Sequence, residues 1–293
     1  MAAMTPSSVT LGIYEKALLH VEDWNRMFRQ VVDAGFAFMD LSIDESPERL
    51  SRLEWTARQR AAFASAAHQE GAQIGGMCLS CHRRIGPGSA SAGTRRRAAE
   101  IFRQAIDFCY DTAIPVIQVA GYYAYYEDPD PGQRERYVDS LAQAAQYAAQ
   151  AGIMLGIENV DGNDVTSITK GLEICDEVHS AWLTMYPDIG NLAEQQLDTT
   201  AELHAGQGRM LAIHVKDVLP GEPRRIPLGS GSADFPAAFG ELARQRWSGR
   251  MMLEMWNDDS PDSNRICVDA RRRLTGWLDE AGIAVSDGPE RRS

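Results

Sequence analysis

The segment 211–217, Leu-Ala-Ile-His-Val-Lys-Asp, is an apolar run that ends in polar residues. Its length and its apolar residues predict a buried strand. His214 lies close to the point where this strand ends. Taken alone, it is better interpreted as a core histidine than as a functional ligand, so its meaning depends on what the rest of the chain places beside it.

Three other apolar runs of this kind end in an acidic residue, namely Glu158, Asp188 and Glu254. A single acidic residue at the end of a strand often marks only the start of solvent. Four potential ligands at four consecutive strand ends, with His214 as the fourth, are harder to explain in that way. Crowded carboxylates repel one another unless a cation joins them, so the set predicts a metal site.

Eight apolar runs alternate with eight helical patterns along the chain. The predicted strands are 9–14, 36–41, 74–79, 116–120, 154–158, 183–188, 210–215 and 250–254. The predicted helices are 24–34, 56–70, 94–112, 133–150, 167–178, 199–205, 235–244 and 263–281. This alternation predicts parallel βαβ units.

Two features of this α/β pattern are the count of eight units and the absence of a Gly-rich nucleotide turn after the first strand. Both favour a single (β/α)8 TIM barrel over a doubly wound open sheet. We expect one barrel domain at 9–281, a flexible N-terminus at 1–8 and a disordered C-terminal tail at 282–293. The predicted strand ends 158, 188, 214 and 254 belong to strands five to eight, which are neighbours around a barrel.

The composition limits the partners of the chain. Its 293 residues carry a formal net charge of -12, which argues against nucleic acid because phosphate backbones attract basic surfaces. Neither a signal peptide nor an apolar run long enough for a membrane span is visible. Five scattered cysteines do not form a disulfide framework, so we expect a reducing, cytoplasmic location.

Cys78 and Cys81 have the CxxC spacing that occurs in redox pairs and in zinc sites. The chain has no second CxxC, and Cys78 ends a strand-like apolar run. A structural or incidental pair is therefore the favoured interpretation.

The ligand set indicates which metal would bind. Barrel enzymes place their chemistry at the carboxyl ends of the strands, where Glu158, Asp188, His214 and Glu254 are expected. Three oxygen ligands and one imidazole suit one divalent ion, Mn, Zn, Co or Mg, and do not suit a thiolate-rich structural site.

Several segments resemble the L-ribulose-5-phosphate 3-epimerase family, whose members are also named L-xylulose-5-phosphate 3-epimerases or hexulose-6-phosphate isomerases. The similar segments are 11–18, 48–53, 77–84, 120–122, 125–128, 186–192, 213–217 and 253–256. The family belongs to the xylose-isomerase-like TIM barrels, and the resemblance extends from about residue 11 to about residue 281. Segment 157–162 is less similar, which leaves the exact substrate open.

The resemblance implies a metal held by Glu158, Asp188, His214 and Glu254, with Glu158 and Glu254 as the acid/base pair. It implies a phosphorylated ketose, L-ribulose 5-phosphate or L-xylulose 5-phosphate, as the substrate. A metal that bridges the C2 and C3 oxygens would stabilise the enediolate formed when the C3 proton leaves. Relatives are often dimeric, so the resemblance also implies a homodimer.

Asn191 and the pair Lys216-Asp217 are typical of members that act on phosphosugars. Members that act on free sugars usually carry His and Arg near these positions. The resemblance therefore argues against a non-phosphorylated substrate. Asp217 has no equivalent at another strand end, so we interpret it as a supporting residue rather than a ligand.

Three places could bind the phosphate. The loop that contains Gly229, Ser230 and Gly231 offers backbone amides just before a helix. Arg83, in a Gly- and Arg-rich loop that we expect to be mobile, is the second, and Lys216 is the third.

Aromatic residues could shape or cover the sugar site. Trp256, Tyr125 and Tyr126 follow predicted strands and are candidates for this role. Packing of these side chains against neighbouring loops explains their positions equally well.

Other functions remain open at this point. A related isomerase acting on another sugar or on hydroxypyruvate is the nearest alternative. A metal-dependent phosphoesterase of the same barrel type would need more histidines than the six present. A catalytically silent barrel that serves as a binding module is the third alternative.

Overall fold

The computed structural model describes residues 7–286, and the predicted alternation of strands and helices is present there. The strands are three to seven residues long. They are β1 (Ser8–Tyr14), β2 (Phe38–Ser42), β3 (Gln73–Leu79), β4 (Val116–Ala120), β5 (Met154–Glu158), β6 (Leu183–Met185), β7 (Ala212–Val215), β8 (Gly249–Leu253) and β9 (Ala284–Ser286).

The α-helices of the described range connect or follow these strands. They are α1 (Trp24–Asp33), α2 (Pro47–Leu50), α3 (Ala57–Glu70), α4 (Ala92–Thr112), α5 (Gln133–Ala151), α6 (Ile168–Val178), α7 (Ile189–Glu194), α8 (Thr199–Ala205), α9 (Phe235–Arg244) and α10 (Ser263–Glu280). Within residues 7–286, no helix combines the length and the apolar character that crossing a membrane requires.

Helix boundaries follow local signals that the sequence contains. Thr56 was predicted to cap α3, and its hydroxyl accepts a hydrogen bond from the Gln59 N–H, while the Gln59 side chain accepts one from the Thr56 N–H. Gly35 and Gly71, which follow α1 and α3, have φ angles of +83° and +75°. These left-handed conformations end the helices where glycine was expected to end them.

One compact unit comprises residues 7–39, 66–73 and 187–286. Its strands β1, β7 and β8 are parallel, with β8 in the middle. Met251 of β8 pairs with Leu11 on one side and with Ile213 on the other, and all three side chains are buried. This apolar row fixes the register that brings the ends of β7 and β8 together.

The other compact unit comprises residues 40–65 and 74–186. Its strands β3, β4, β5 and β6 pair in parallel in chain order. Leu79, Val119, Ile157 and Met185 are paired across the four strands, and each is fully buried. Runs that are apolar on both faces are typical of parallel strands covered by helices.

The strand order in the sheet is β6-β5-β4-β3-β2-β1-β8-β7, with β9 beside β1. From β1 to β6, and from β7 to β8, strands that follow one another in the chain are neighbours, as expected for a (β/α)8 fold.

Some predicted boundaries were wrong. Helices α2 and α7 were missed, because four and six residues are too few to show a helical period. Strand β6 ends at Met185 rather than at residue 188. Ser8 already belongs to β1, and Ala284–Ser286 form β9 inside the segment predicted as a disordered tail, because this short strand pairs with the start of β1. Residues 1–6 and 287–293 of the predicted termini lie outside the described residues.

The loop predicted to be mobile after β3 is packed instead. Residues Ser80–Arg83 form a 3-10 turn, and the buried His82 ring lies 4.3 Å from the Phe102 ring. Burial lowers the pKa of the His82 imidazole to about 4, so the ring is neutral at pH 7. Cys78 and Cys81 are buried free thiols, which agrees with a structural role.

Gly12 provides a test of this packing. A Cβ at residue 12 would lie 2.0 Å from the ring of the buried Phe38. We expect Gly12→Ala to lower the free energy of unfolding by about 1–3 kcal/mol, measured by urea denaturation. The matched control is Gly276→Ala in α10, where a Cβ has open space and should raise stability by up to about 1 kcal/mol. Equal effects of the two substitutions would contradict this packing.

Candidate active site

Asp188 lies three residues after β6 and is the N-cap of α7. Its Oδ1 accepts a hydrogen bond from the Asn191 N–H at 2.9 Å, which satisfies a backbone donor at the start of the helix. The His214 N–H donates to the Pro187 carbonyl at 2.7 Å, so the backbone at Asp188 is tied directly to β7. Oδ1 of Asp188 therefore caps α7, and Oδ2 can make other contacts.

His214 and Glu254 come from the adjacent parallel strands β7 and β8. The register pairs His214 with Met252, and the Glu254 N–H donates to the Val215 carbonyl at 3.0 Å just beyond the end of β8. Asp188, His214 and Glu254 each offer a ligand atom, and these atoms lie within 4.8 Å of one another. The structure therefore brings three of the predicted ligands together within one unit.

Lys216 places an ammonium group beside the two carboxylates. Its Nζ lies 2.7 Å from Asn191 Oδ1, 3.1 Å from Asp188 Oδ2 and 3.6 Å from Glu254 Oε2. The same atom lies 5.9 Å from the centroid of the Trp256 ring. Of the predicted substrate contacts, Lys216 therefore lies beside the Asp188 and Glu254 carboxylates, and Asn191 and Trp256 lie beside Lys216.

The charge at Asp188 is only partly compensated. Burial raises the pKa of the Asp188 carboxyl to about 6, and the Glu254 carboxylate acts in the same direction. Lys216 and His214 oppose the shift but do not cancel it. The ionised carboxylate is therefore favoured further by any additional positive charge.

The donor set fits a divalent cation. Protein sites for Mn, Zn, Co and Mg use carboxylate and imidazole ligands in different proportions, so two carboxylates and one imidazole suit a divalent ion of this group. The Oε2 atom of Glu254 is buried and has no hydrogen-bond partner among the described residues. The Lys216 ammonium, 3.6 Å away, is beyond hydrogen-bond distance, so a cation in direct contact would stabilise this oxygen further.

Glu158, the fourth predicted ligand, is the last residue of β5 and is buried. Gln118 of the neighbouring β4 donates from Nε2 to Glu158 Oε2 at 2.6 Å. The Glu158 carbonyl accepts from the Gly121 N–H at 3.1 Å, and a Cβ at Gly121 would lie 2.5 Å from that oxygen. Both the backbone and the carboxylate of Glu158 are therefore fixed.

Arg83 lies among aromatic side chains in the unit that contains β5. The centre of its guanidinium group is 5.0 Å from the Tyr122 ring and 5.1 Å from the Tyr125 ring. It donates to the Tyr122 hydroxyl at 3.2 Å, and that hydroxyl donates to Asp161. Glu45 lies 4.0 Å from Arg83 Nε. Ring faces and nearby acids thus fix the plane of the guanidinium.

Tyr125 and Tyr126, predicted to shape or cover the sugar site, are among the exposed aromatic side chains of the same cluster. Their rings pack edge to face with centroids 4.9 Å apart. The Tyr126 hydroxyl donates to the Glu45 carboxylate at 3.2 Å. The cluster therefore continues from Arg83 to the surface of this unit.

The side chain of Asp217 binds backbone amides of the Gly-rich loop that was predicted to bind phosphate. Its Oδ2 accepts from the Gly229 and Gly231 N–H groups at 2.7 and 2.9 Å, and its Oδ1 accepts from the Ala233 N–H at 3.3 Å. The Ser230 N–H donates within the loop. A buried carboxylate of the chain already accepts from the Gly229 and Gly231 amides, and the binding of a substrate phosphate by this loop stays a prediction.

Comparison with known proteins identifies the family. Residues 28–280 match the family described as xylose isomerase-like TIM barrel. The L-ribulose-5-phosphate 3-epimerase UlaE of Escherichia coli (strain SE11) is 38% identical over 280 residues, which cover 96% of this chain and 99% of that protein. The protein of the same name from Shigella sonnei (strain Ss046) is 38% identical over 279 residues, which cover 95% and 98%. The chain belongs to this epimerase family. The predicted fold class and the predicted enzyme class, an isomerase, are confirmed.

Solved structures show the same fold at lower identity. A structure of L-ribulose 3-epimerase superposes with a TM-score of 0.78 at 19% identity and covers 93% of this chain and 95% of its own. D-psicose 3-epimerase from Clostridium cellulolyticum H10 has a TM-score of 0.78 at 16% identity and covers 92% and 99%. At these identities the likeness concerns the fold alone.

Two contacts of this epimerase family member were not predicted. Gln118 holds the Glu158 carboxylate, and Asp217 holds the loop after β7. A signal for Gln118 was present, because it is a polar residue inside the apolar run 116–120. The same signal marks Asp40 in β2, which is buried and accepts a hydrogen bond from the Tyr186 hydroxyl at 2.9 Å.

The loop held by Asp217 gives a testable prediction. Asp217→Ala leaves several backbone donors without their acceptor, so we expect the free energy of unfolding to fall by about 2–3 kcal/mol. Hydrogen exchange at the Gly229 and Gly231 amides should accelerate as the loop opens. The control is Asp279→Ala on the exposed face of α10, which should change neither quantity. Unchanged exchange at residues 229 and 231 would contradict the role given to Asp217.

Proposed function

We propose that this chain is a metal-dependent isomerase that epimerises carbon 3 of a ketopentose phosphate, L-ribulose 5-phosphate or L-xylulose 5-phosphate. The convergence of Asp188, His214 and Glu254 is the observation that carries the proposal. The names of relatives that match nearly the whole chain support the choice of substrate.

Asp188, His214 and Glu254 would hold the metal, and Glu158 would be the fourth ligand. A carboxylate at the end of β5 is expected to serve the same centre as those after β6 and β8, because barrel strands deliver their ends to one face. When bound, the divalent ion, Mn, Zn, Co or Mg, supplies Lewis-acid polarisation of the substrate carbonyl.

Glu158 and Glu254 would move the protons. Epimerisation removes the C3 proton on one face of the sugar and returns a proton on the other, so two acid/base groups are needed. Gln118 orients the Glu158 carboxylate through the 2.6 Å hydrogen bond, and the Val215 carbonyl anchors the backbone of Glu254. Fixed carboxylates keep the distance to the C3 proton constant, which proton transfer requires.

Arg83 is the phosphate contact that we retain among the earlier candidates. Its Nε is buried and has no hydrogen-bond partner among the described residues, and its side chain is held between tyrosine rings. Lys216 is already engaged by Asn191 and Asp188, and the Gly229 and Gly231 amides are engaged by Asp217.

The buried, free state of all five cysteines supports the proposal of a cytoplasmic location, where thiols stay reduced. The homodimer implied by the family resemblance stays a prediction.

Replacement of Glu254 tests the acid/base assignment. Glu254→Gln keeps the shape of the side chain but removes a proton acceptor, so we expect kcat to fall by about a hundredfold or more. The measurement is NMR of L-ribulose 5-phosphate in deuterated water, where deuterium enters at C3. Glu280→Gln, at the exposed end of α10, is the control and should leave the rate unchanged. Near-normal exchange in Glu254→Gln would refute the assignment.

A non-phosphorylated ketose is the second candidate substrate, and one observation favours it. Asp217 occupies the loop amides that were expected to bind phosphate, which leaves Arg83 as the main cationic donor for that group. A Coulombic contact between Arg83 and phosphate should still favour the phosphorylated sugar.

A substrate panel separates these candidates. We expect kcat/KM for L-ribulose 5-phosphate to exceed that for L-ribulose by about a hundredfold, roughly the effect of two charge-assisted hydrogen bonds. Equal values, or preference for the free sugar, would favour the second candidate. Release of inorganic phosphate instead of epimerisation would indicate a phosphoesterase.

A further inference from the structure

We propose that Lys216 is a built-in counter-ion of the metal-free site and that it weakens the binding of the metal. The proposal rests on the proposed function, because it concerns the same ligands. It assigns to Lys216 a role different from the substrate contact expected from the sequence. The role is electrostatic and acts through Asp188 and Glu254.

The geometry shows which groups the ammonium contacts. Lys216 Nζ lies 3.1 Å from Asp188 Oδ2 and 3.6 Å from Glu254 Oε2, the two carboxylate oxygens that would otherwise repel each other in a buried site. Its hydrogen bond to Asn191 Oδ1 at 2.7 Å directs it toward them. The ammonium thus supplies positive charge where a metal would supply it.

The ammonium is confined to this position by packing. The side chain of Lys216 is 5% exposed, and the ring of Trp256 lies beside its Nζ. The Lys216 backbone is equally restricted, since a Cβ at Gly190 of α7 would lie 2.3 Å from the Lys216 carbonyl oxygen. The ammonium therefore lies in a buried position beside the two carboxylates rather than in solvent.

The Lys216 ammonium and a divalent ion would then compete for the same carboxylates. A divalent ion held by Asp188, His214 and Glu254 would draw on the two carboxylates that the ammonium contacts, and like charges at short range repel strongly in a buried site. Lys216 therefore stabilises the metal-free protein and lowers metal affinity by the same interaction. The metal can leave without exposing an uncompensated pair of carboxylates.

Substitution by a neutral side chain of similar length tests the proposal. Lys216→Met removes the charge and keeps most of the volume of the side chain. The metal-free protein, prepared by chelation, is titrated with Mn²⁺ by calorimetry, and its melting temperature is measured with and without Mn²⁺. We expect the Kd for Mn²⁺ to decrease by about tenfold or more. The melting temperature of the metal-free variant should fall by several degrees, and its increase on adding Mn²⁺ should be larger than for the unmodified protein.

A matched control and a second variant complete the experiment. Lys170→Met removes the exposed lysine of α6 and should leave both the Kd and the melting temperature unchanged. Lys216→Gln removes the charge but retains a donor for Asn191, so it covers the case in which Lys216→Met does not fold. Both position-216 variants can be purified with Mn²⁺ and stripped afterwards.

The outcomes distinguish this inference from the function on which it rests. Mn²⁺ affinity that is equal or weaker in both Lys216 variants overturns the counter-ion role and leaves the metal-dependent function standing. Failure of the unmodified protein to bind Mn²⁺, Zn²⁺, Co²⁺ or Mg²⁺ overturns both. Tighter binding in the variants, without turnover of any ketose by the unmodified protein, supports the inference and refutes the proposed reaction.

Discussion

The repulsion between buried carboxylates is the constraint on which the candidate site depends. Asp188 is fully buried, and Glu254 is brought to its neighbourhood by the pairing of β7 with β8. Two negative charges in such a place are unfavourable in the absence of a cation. Lys216 supplies one positive charge, and the raised pKa of Asp188 indicates that this charge alone leaves part of the cost uncompensated. A divalent ion, as proposed for this site, would compensate the rest.

Short loop segments, rather than the strands themselves, set the details of this arrangement. Asp188 uses one oxygen to cap α7, and Gly190 allows that helix to approach the backbone of Lys216. Asp217, next in the chain, turns away from the ligands and binds the amides of the following loop. Two adjacent side chains thus make different contacts: Lys216 lies beside the carboxylates of Asp188 and Glu254, and Asp217 binds the backbone of the following loop.

The fold, and the closeness of three side chains at strand ends, could be predicted from the sequence because they depend on local patterns. Apolar runs mark the strands, and the residue at the end of a strand is placed by the strand itself, which is why Asp188, His214 and Glu254 were expected to lie together; their role as metal ligands stays a prediction. The roles of Lys216 and Asp217 depend on contacts with residues that are distant in the chain, such as Asn191 and Gly231. No local pattern encodes such contacts. A Gly-rich loop has the same composition whether its amides bind a substrate anion or a carboxylate of the protein itself.

The occupied loop also bears on how substrate specificity can arise. Chemistry at C3 requires groups at strand ends, whereas recognition of a phosphate requires a cation that is not already neutralised. Arg83 is held by the Tyr122 and Tyr125 rings but also lies near two acids, Glu45 and Asp161. Its net attraction for an anion therefore depends on how firmly these carboxylates stay with their tyrosine partners. In the proposed phosphate site the tyrosines would have two effects: they orient the guanidinium plane, and their hydroxyl groups offer the acids an alternative partner. A change at one of these hydroxyls would alter the proposed phosphate contact of Arg83 without altering Glu158 or Glu254, the groups proposed to move the C3 proton.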